Sequence, residues 1–252
     1  GLKSIDIEAF FGCSSLTSIG IPGSMECIND SAFDFCKHLS EIHAESFTKE
    51  EWRNIYDCRS NDMTVYLKDG KKDGKVKEEG ITYYIDYDEG ERYVAAADKD
   101  VTVAQIKEEV EGEIVTYIAF GAFADHTNLT SVIIPNSVTS IESIAFSGCL
   151  NLKSINIIKD RNCQEEIPSG APWGAPETAV INVYKKGSLI YDDERNLVYE
   201  VNHNETLSVK STIEANVDSF ECNIPSEYNG ISVTTILDNA FLMCSNLTCI
   251  NI

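Results

Sequence analysis

The sequence predicts a strand-rich α/β repeat solenoid, a parallel β ladder with short helical turns, interrupted by β-hairpin sections. Three observations predict it. A short phrase of apolar residues recurs at a fixed interval, the chain repeats again at a longer interval, and aromatic runs broken by turn formers lie between the repeat blocks.

The phrase is Ala-Phe, then Cys, Leu and Ile at successive steps of three. It reads Ala9-Phe10, Cys13, Leu16, Ile19, then Ala32-Phe33, Cys36, Leu39, Ile42. It returns as Ala122-Phe123, His126, Leu129, Val132; as Ala145-Phe146, Cys149, Leu152, Ile155; and as Ala240-Phe241, Cys244, Leu247, Ile250. Ala9 to Ala32 and Ala122 to Ala145 are both 23 residues. A unit this short cannot bury its own apolar residues, so each coil must be covered by the next.

The coil divides into elements in order. In Leu129-Thr130-Ser131-Val132-Ile133-Ile134 and Leu152-Lys153-Ser154-Ile155-Asn156-Ile157, apolar residues alternate with others as in a half-buried strand. Stacked coils place these strands side by side with Ser131, Ile133, Ser154 and Asn156 outward. Ile134-Pro135-Asn136-Ser137-Val138-Thr139-Ser140-Ile141 then predicts a corner, because Pro donates nothing to a ladder and Asn-Ser favours a turn. The Ala-Phe-x-x-Cys stretch, with apolar residues three apart, predicts one helical turn opposite the strand.

The run from Ala122 to Ile141 resembles the BspA-like leucine-rich repeats of bacterial and protist surface proteins, through its period, Ala-Phe pair, Cys position and Ile-Pro-x-Ser-Val-Thr-x-Ile corner. The fold class is therefore read as an α/β leucine-rich-repeat solenoid. His126 departs from the Cys position, and Gly20 and Cys27 vary the strand and corner. The resemblance covers residues 1–45, 112–158 and 230–252. It implies an exported, non-catalytic surface protein, adhesin-like in some relatives.

The longer repeat appears in Val65 and Val183, Ile106 and Ile224, Gly112 and Gly230, and Ala122 and Ala240, each pair 118 apart. It divides the chain into residues 1–64, leucine-rich repeats plus a Trp connector; 65–182, a hairpin section, two repeats and a Trp connector; and 183–252, a hairpin section and the next repeats. The hairpins are Ile81 to Tyr87 with Arg92 to Ala95, and Leu197 to Val201 with Thr206 to Val209. The connectors around Trp52 and Trp173 are read as covers for an exposed edge of the stack.

The net charge of −21, with 12 acidic against 3 basic residues over 78–113, excludes polyphosphate partners, so no nucleic acid is expected. No stretch approaches the about 18 apolar residues of a membrane span, and no transmembrane segment is expected in this piece. The chain opens inside one strand phrase and closes at the end of another, so it reads as a piece of a longer protein. Of nine cysteines, Cys13, Cys36, Cys149 and Cys244 share one repeat position and are expected as buried thiols between coils.

The sequence carries no zinc, nucleotide or nucleophile-elbow motif, and no cofactor or metal site is expected. Cys27, Cys58, Cys163, Cys222 and Cys249 lie outside the repeat position; of these Cys58 or Cys163 is the candidate for a nucleophile, with no histidine placed beside either. Asp86, Asp88, Glu89 and Glu91, and the analogous Asp192-Asp193-Glu194, read as solvated hairpin turns lacking ordered calcium-ligand spacing. Tyr83, Tyr84, Tyr87 and Tyr93 divide between core and a candidate aromatic surface.

The expected function is a non-catalytic binding module, cell-surface or secreted by resemblance, that recognises an extracellular protein or glycan of a host or neighbouring cell. Its expected site is the concave strand face: Ser18, Glu41, His43, Ser131, Ile133, Ser154, Asn156 and Asn251. The alternatives are a structural spacer or stalk, or an accessory region of an enzyme whose catalytic domain lies outside this piece.

Overall fold

A computed structural model describes residues 1–56, 63–86, 90–163, 167–195, 197–213, 220–242 and 244–252. It divides into two compact units, Gly1–Ala96 with Glu109–Thr116, and Ala97–Glu108 with Tyr117–Ile252. The 65–182 sequence module is shared between them. Among the described residues the molecule is almost entirely strand and turn, with one helix, Lys49–Ile55.

In the first unit a ladder runs through strands Ser18–Gly20, Glu41–Ala44, Thr64–Leu67 and Lys72–Gly74. The first three are parallel, in the register Ser18↔Glu41↔Thr64, Ile19↔Ile42↔Val65 and Gly20↔His43↔Tyr66. Lys72–Gly74 closes it antiparallel, with Lys72 opposite Tyr66. Period-two alternation turns Ile42 and Val65 into the core and Glu41 and His43 outward.

Behind the ladder the Ala-Phe phrases stack. The rings of Phe10 and Phe33 lie 5.4 Å apart, and Phe33 meets Tyr56 edge-on at 6.0 Å. The Cys36 thiol donates to the Phe10 carbonyl at 3.0 Å, so the repeat cysteine ties one coil to the one before it. Of the four repeat cysteines expected to be buried, only Cys149 is; Cys36 and Cys244 are half-buried, and Cys13, on the first coil, is exposed. The phrases do not form the expected helical turns. They are single turns with left-handed residues just before the Ala or two after the Phe, as at Glu8, Gly12, Phe35, Asp125, Ile144 and Gly148. A right-handed helix cannot propagate through such positions.

The helix lies in the first Trp connector. Thr48 accepts from the Glu51 amide while the Glu51 side chain accepts from the Thr48 amide, a reciprocal cap. It buries Trp52 between Phe47 and Tyr56, at the end of the ring stack. A second sheet in this unit orders Glu109–Val110, Glu113–Ile118, Glu91–Ala97, Ile81–Asp86 and Val76–Glu78. Buried Arg92 donates to the carbonyls of Val110, Gly74 and Lys72. Of the hairpin expected here, Tyr87 at the end of its first strand and Asp88 and Glu89 of its turn Asp88-Glu89-Gly90-Glu91 lie outside the described residues, as does Cys58.

In the second unit the parallel ladder is Val103–Gln105, Ser131–Ile134, Ser154–Lys159 and Val180–Lys185. Ser131 pairs with Ser154, and Ile133 with Asn156 and then Asn182. Phe123 stacks on Phe146 at 5.4 Å, Trp173 closes that stack at 6.5 Å, and the Cys149 thiol donates to the Phe123 carbonyl at 2.9 Å. His126 fills the cysteine slot with its ring nitrogens 2.8 and 3.0 Å from the carbonyl oxygens of Ala97 and Ala124. A second sheet, ordered Leu189–Asp192, Leu197–Val201, Leu207–Thr212, Ile231–Ile236 and Glu227–Tyr228, packs Tyr199, Val201, Leu207, Val209 and Ile231 into one cluster with Ile133 and Ile158 of the ladder.

Candidate functional site

The outward strand face has opposite fates in the two units. In the second it is covered by the chain itself. Ser131, Ile133, Ser154 and Asn156, expected on the surface, are buried, with Asn156 fully inaccessible. The β-turn between Glu227–Tyr228 and Ile231–Ile236 comes down on them. Its Asn229 carbonyl accepts from Ser131 Oγ at 3.2 Å, Ser154 Oγ at 2.8 Å and Asn156 Nδ2 at 2.6 Å.

Both turn residues are left-handed, Asn229 at φ 53° and Gly230 at φ 80°, as a tight two-residue hairpin requires. A side chain at Gly230 would overlap the Ser131 hydroxyl, so the close approach needs glycine. Asn156 is fixed from its other end by Asn182 Nδ2, 2.9 Å from its Oδ1. The polar row is a cradle for the molecule's own turn, and the expected exposure of these four residues is corrected accordingly. The signal was present in the sequence: Ile133 faces outward in an alternating strand, and Ile157-Ile158 breaks the alternation, the pattern of a strand buried on both faces.

In the first unit the equivalent face is accessible. Ser18 is exposed, and the side chains of Glu41, His43 and Glu45 are 45%, 39% and 58% exposed. The ladder register lays His43 flat on Tyr66, centroids 5.0 Å apart and planes within 7°. Lys72 Nζ lies 5.8 Å from the Tyr66 ring centroid. Glu45 Oε1 sits 2.9 Å from His43 Nδ1 and Glu41 Oε2 3.6 Å from His43 Nε2. The Tyr66 hydroxyl donates to Glu41 at 3.3 Å.

The electrostatics follow from these contacts. The backbone N–H of Glu45, then the His43 ring, hold the Glu45 carboxyl below its usual range. Burial, then the Glu41 charge, push the Tyr66 hydroxyl up. The arrangement is a stacked aromatic platform edged by carboxylates. Sequence reasoning placed Ser18, Glu41 and His43 on this face and missed Tyr66 and Lys72, because the ladder continues into a hairpin whose strands do not carry the repeated phrase. Asn251 is exposed on another strand, where its Nδ2 donates to Asn223 Oδ1 at 2.6 Å.

The second unit also has a polar cleft of about 840 Å³ at the Asn229 turn, lined among others by Asp193, Glu194, Tyr191, Glu227, Lys153 and Ser154. Asp192, read from sequence as part of a solvated turn, is 3% exposed and accepts from Arg195 and the Tyr199 hydroxyl. Tyr83 is core, whereas Tyr84 and Tyr93 stack at 6.0 Å. Of the acidic residues at 86–91, Asp88 and Glu89 lie outside the described residues, as does Tyr87. Among the described residues no group of three His, Cys, Asp or Glu side chains is placed to hold a metal ion, and no helix is long and apolar enough to cross a membrane.

Stacked coils, a parallel ladder and a ring stack tied by repeat cysteines define a strand-rich repeat solenoid. The chain belongs to the BspA type leucine rich repeat family, whose model matches residues 1–68 and 105–170, in six copies. Among solved structures it is similar to a leucine-rich repeat protein from Bacteroides capillosus, 25% identical over 46% of this chain and all of that one, TM-score 0.33. It is also similar to a leucine-rich repeat protein of T. pallidum, 18% identical over 70% of each chain, TM-score 0.34. A third is a leucine rich cell surface protein from Faecalibacterium prausnitzii, 18% identical over 74% of this chain and 70% of that one, TM-score 0.30. No curated protein matches the chain.

Proposed function

We propose that this chain is a non-catalytic binding module of a cell-surface or secreted protein, and that it recognises an extracellular protein or glycan through the open strand face of Ser18, Glu41, His43 and Tyr66. The observation that carries the reading is the accessible His43–Tyr66 stack between two carboxylates, on the face a leucine-rich ladder turns away from its core. Family membership and the description of one similar solved protein as a cell surface protein support the setting. The buried positions Ser131, Ile133, Ser154 and Asn156 contribute by holding the second unit together, and Asn251 remains a candidate contact.

The test is capture from an array of matrix proteins, mucins and glycans by the wild type and by a Glu41→Lys/His43→Asp variant. The reading predicts a saturable partner whose capture the variant loses while its melting temperature stays within a few degrees. Capture unchanged by the variant would move the site elsewhere. A second reading, a spacer, is favoured in the second unit by the self-covered ladder, and no capture by any form would extend it to the whole chain.

A further inference from the structure

The row of outward residues across the first unit's ladder is Gly20, His43, Tyr66 and Lys72. Three of the four positions are filled in a stack: imidazole on phenol at 5.0 Å, and ammonium at 5.8 Å on the side of the phenol where the ladder places Lys72. The fourth is empty. Gly20 is exposed, and a Cβ added to it meets nothing within 4 Å. Its φ is not left-handed, so the backbone does not require glycine there. The absent side chain leaves the free side of the His43 ring uncovered above Gly20, on the ladder's edge strand, a one-walled slot one strand spacing, about 4.8 Å, across from His43.

The geometry points to this slot as a subsite for the guanidinium of an arginine side chain in an extracellular protein partner. The inference rests on the binding reading above and names the chemistry of its site. A group entering the slot meets a flat aromatic face and, at its edges, the carboxylates of Glu41 and Glu45. A planar cation suits both: guanidinium stacks on aromatic rings and pairs with a carboxylate through two parallel N–H donors, whereas an ammonium is a strongly hydrated point charge that does neither as well. The row already holds a cation over Tyr66, from Lys72. The chain's net charge of −21 favours approach of a basic segment.

The test is fluorescence polarisation with a labelled, end-blocked Gly-Arg-Gly-Arg-Gly peptide and its Lys and citrulline counterparts, against the wild type, Gly20→Val and Glu41→Gln. Valine fills the slot without changing charge, and by β propensity it raises the melting temperature, so lost binding in a more stable protein is not misfolding. The expected result is at least tenfold weaker arginine-peptide binding to Gly20→Val, at least fivefold weaker to Glu41→Gln, and at least fivefold preference for arginine over lysine and citrulline. Equal binding of the arginine and lysine peptides, or arginine binding untouched by Gly20→Val, overturns the inference and marks the attraction as general acidity. If the arginine peptide does not bind but the array yields a partner lost on Glu41→Lys/His43→Asp, the guanidinium assignment fails and the binding reading stands. If neither binds, both fail.

Discussion

Replacing Asn156 with alanine removes the centre of the contact that closes the second unit's ladder, and the structure sets the size of the effect. Asn156 Nδ2 lies 2.6 Å from the Asn229 carbonyl, and its Oδ1 accepts from Asn182 Nδ2 at 2.9 Å. Each lost hydrogen bond is a net cost of about 1 kcal/mol. The Asn229 oxygen keeps the Ser131 and Ser154 hydroxyls, so it is not orphaned. Asn182 is only half-buried, so water replaces its lost partner. The void left at a fully inaccessible position brings the total to about 2–3 kcal/mol. That corresponds to a fall in melting temperature of about 5–10 °C for a unit of this size. Equilibrium denaturation measures the loss, and amide hydrogen exchange of Glu227–Tyr228 and Ile231–Ile236 should quicken with it, because those strands are pinned by this turn. A loss under about 0.5 kcal/mol, the scale of a change at an uninvolved surface site, with unchanged exchange would refute the reasoning.

Asp73→Ala in the first unit should cost about 1–3 kcal/mol by denaturation, since its fully buried carboxylate sits 3.9 Å from Lys49 and 3.6 Å from Arg53, while Lys49 keeps its ion pair with Glu113. Burial, then the charges of Glu108 and Asp160 against the opposing Lys186, push the Glu205 carboxyl from 4.5 to about 7. Its folded state therefore holds a proton that the unfolded state releases, and stability falls as pH rises from about 4.5 through 7. Glu205→Gln should thus stabilise by about 3 kcal/mol at pH 8 and under about 1 kcal/mol at pH 5, read from denaturation at both. Burial raises the Cys149 and Cys222 thiols above their ordinary range, so iodoacetamide at pH 8 should label exposed Cys13, Cys27 and Cys249 first and reach Cys149 and Cys222 only on unfolding, as peptide mass spectrometry would show.

Much of this architecture was legible because stacking imposes the same chemistry on every coil. Phe10 with Phe33 and Phe123 with Phe146 meet as the 23-residue period requires, and the cysteine position carries a thiol-to-carbonyl bond at both Cys36 and Cys149. The helical turns were misjudged because spacing by three is shared by a helix and by a chain of single turns. The deciding feature, a left-handed residue just before the Ala or two after the Phe, is plain where it is Gly12 or Gly148 but hidden where it is Phe35 or Ile144. The helix at Lys49–Ile55 is signalled by Thr48 and Glu51 at capping-box spacing, inside the connector read from sequence only as a cover for the edge of the stack.

The site was legible only in part. Periodicity assigned Ser18, Glu41 and His43 to the outward face, but nothing local to Ser131, Ser154 or Asn156 announces that a turn 73 to 98 residues later will sit on them. That contact is long-range, and only the outward Ile133 and the Ile157-Ile158 pair hinted at a second covering layer. Tyr66 and Lys72 escaped because their strands extend the ladder without carrying the Ala-Phe-x-x-Cys phrase.

The most direct test of the central claim, that one ladder face is open while its counterpart is self-covered, is hydroxyl-radical footprinting of the intact protein. The account predicts rapid oxidation of His43 and Tyr66, slow oxidation of Ile133, Ile158 and Tyr199, and selective protection of His43 and Tyr66 once a captured partner is added. Oxidation of Ile133 and Ile158 as fast as that of His43 would contradict it, because the covering turn and sheet would then not be in place.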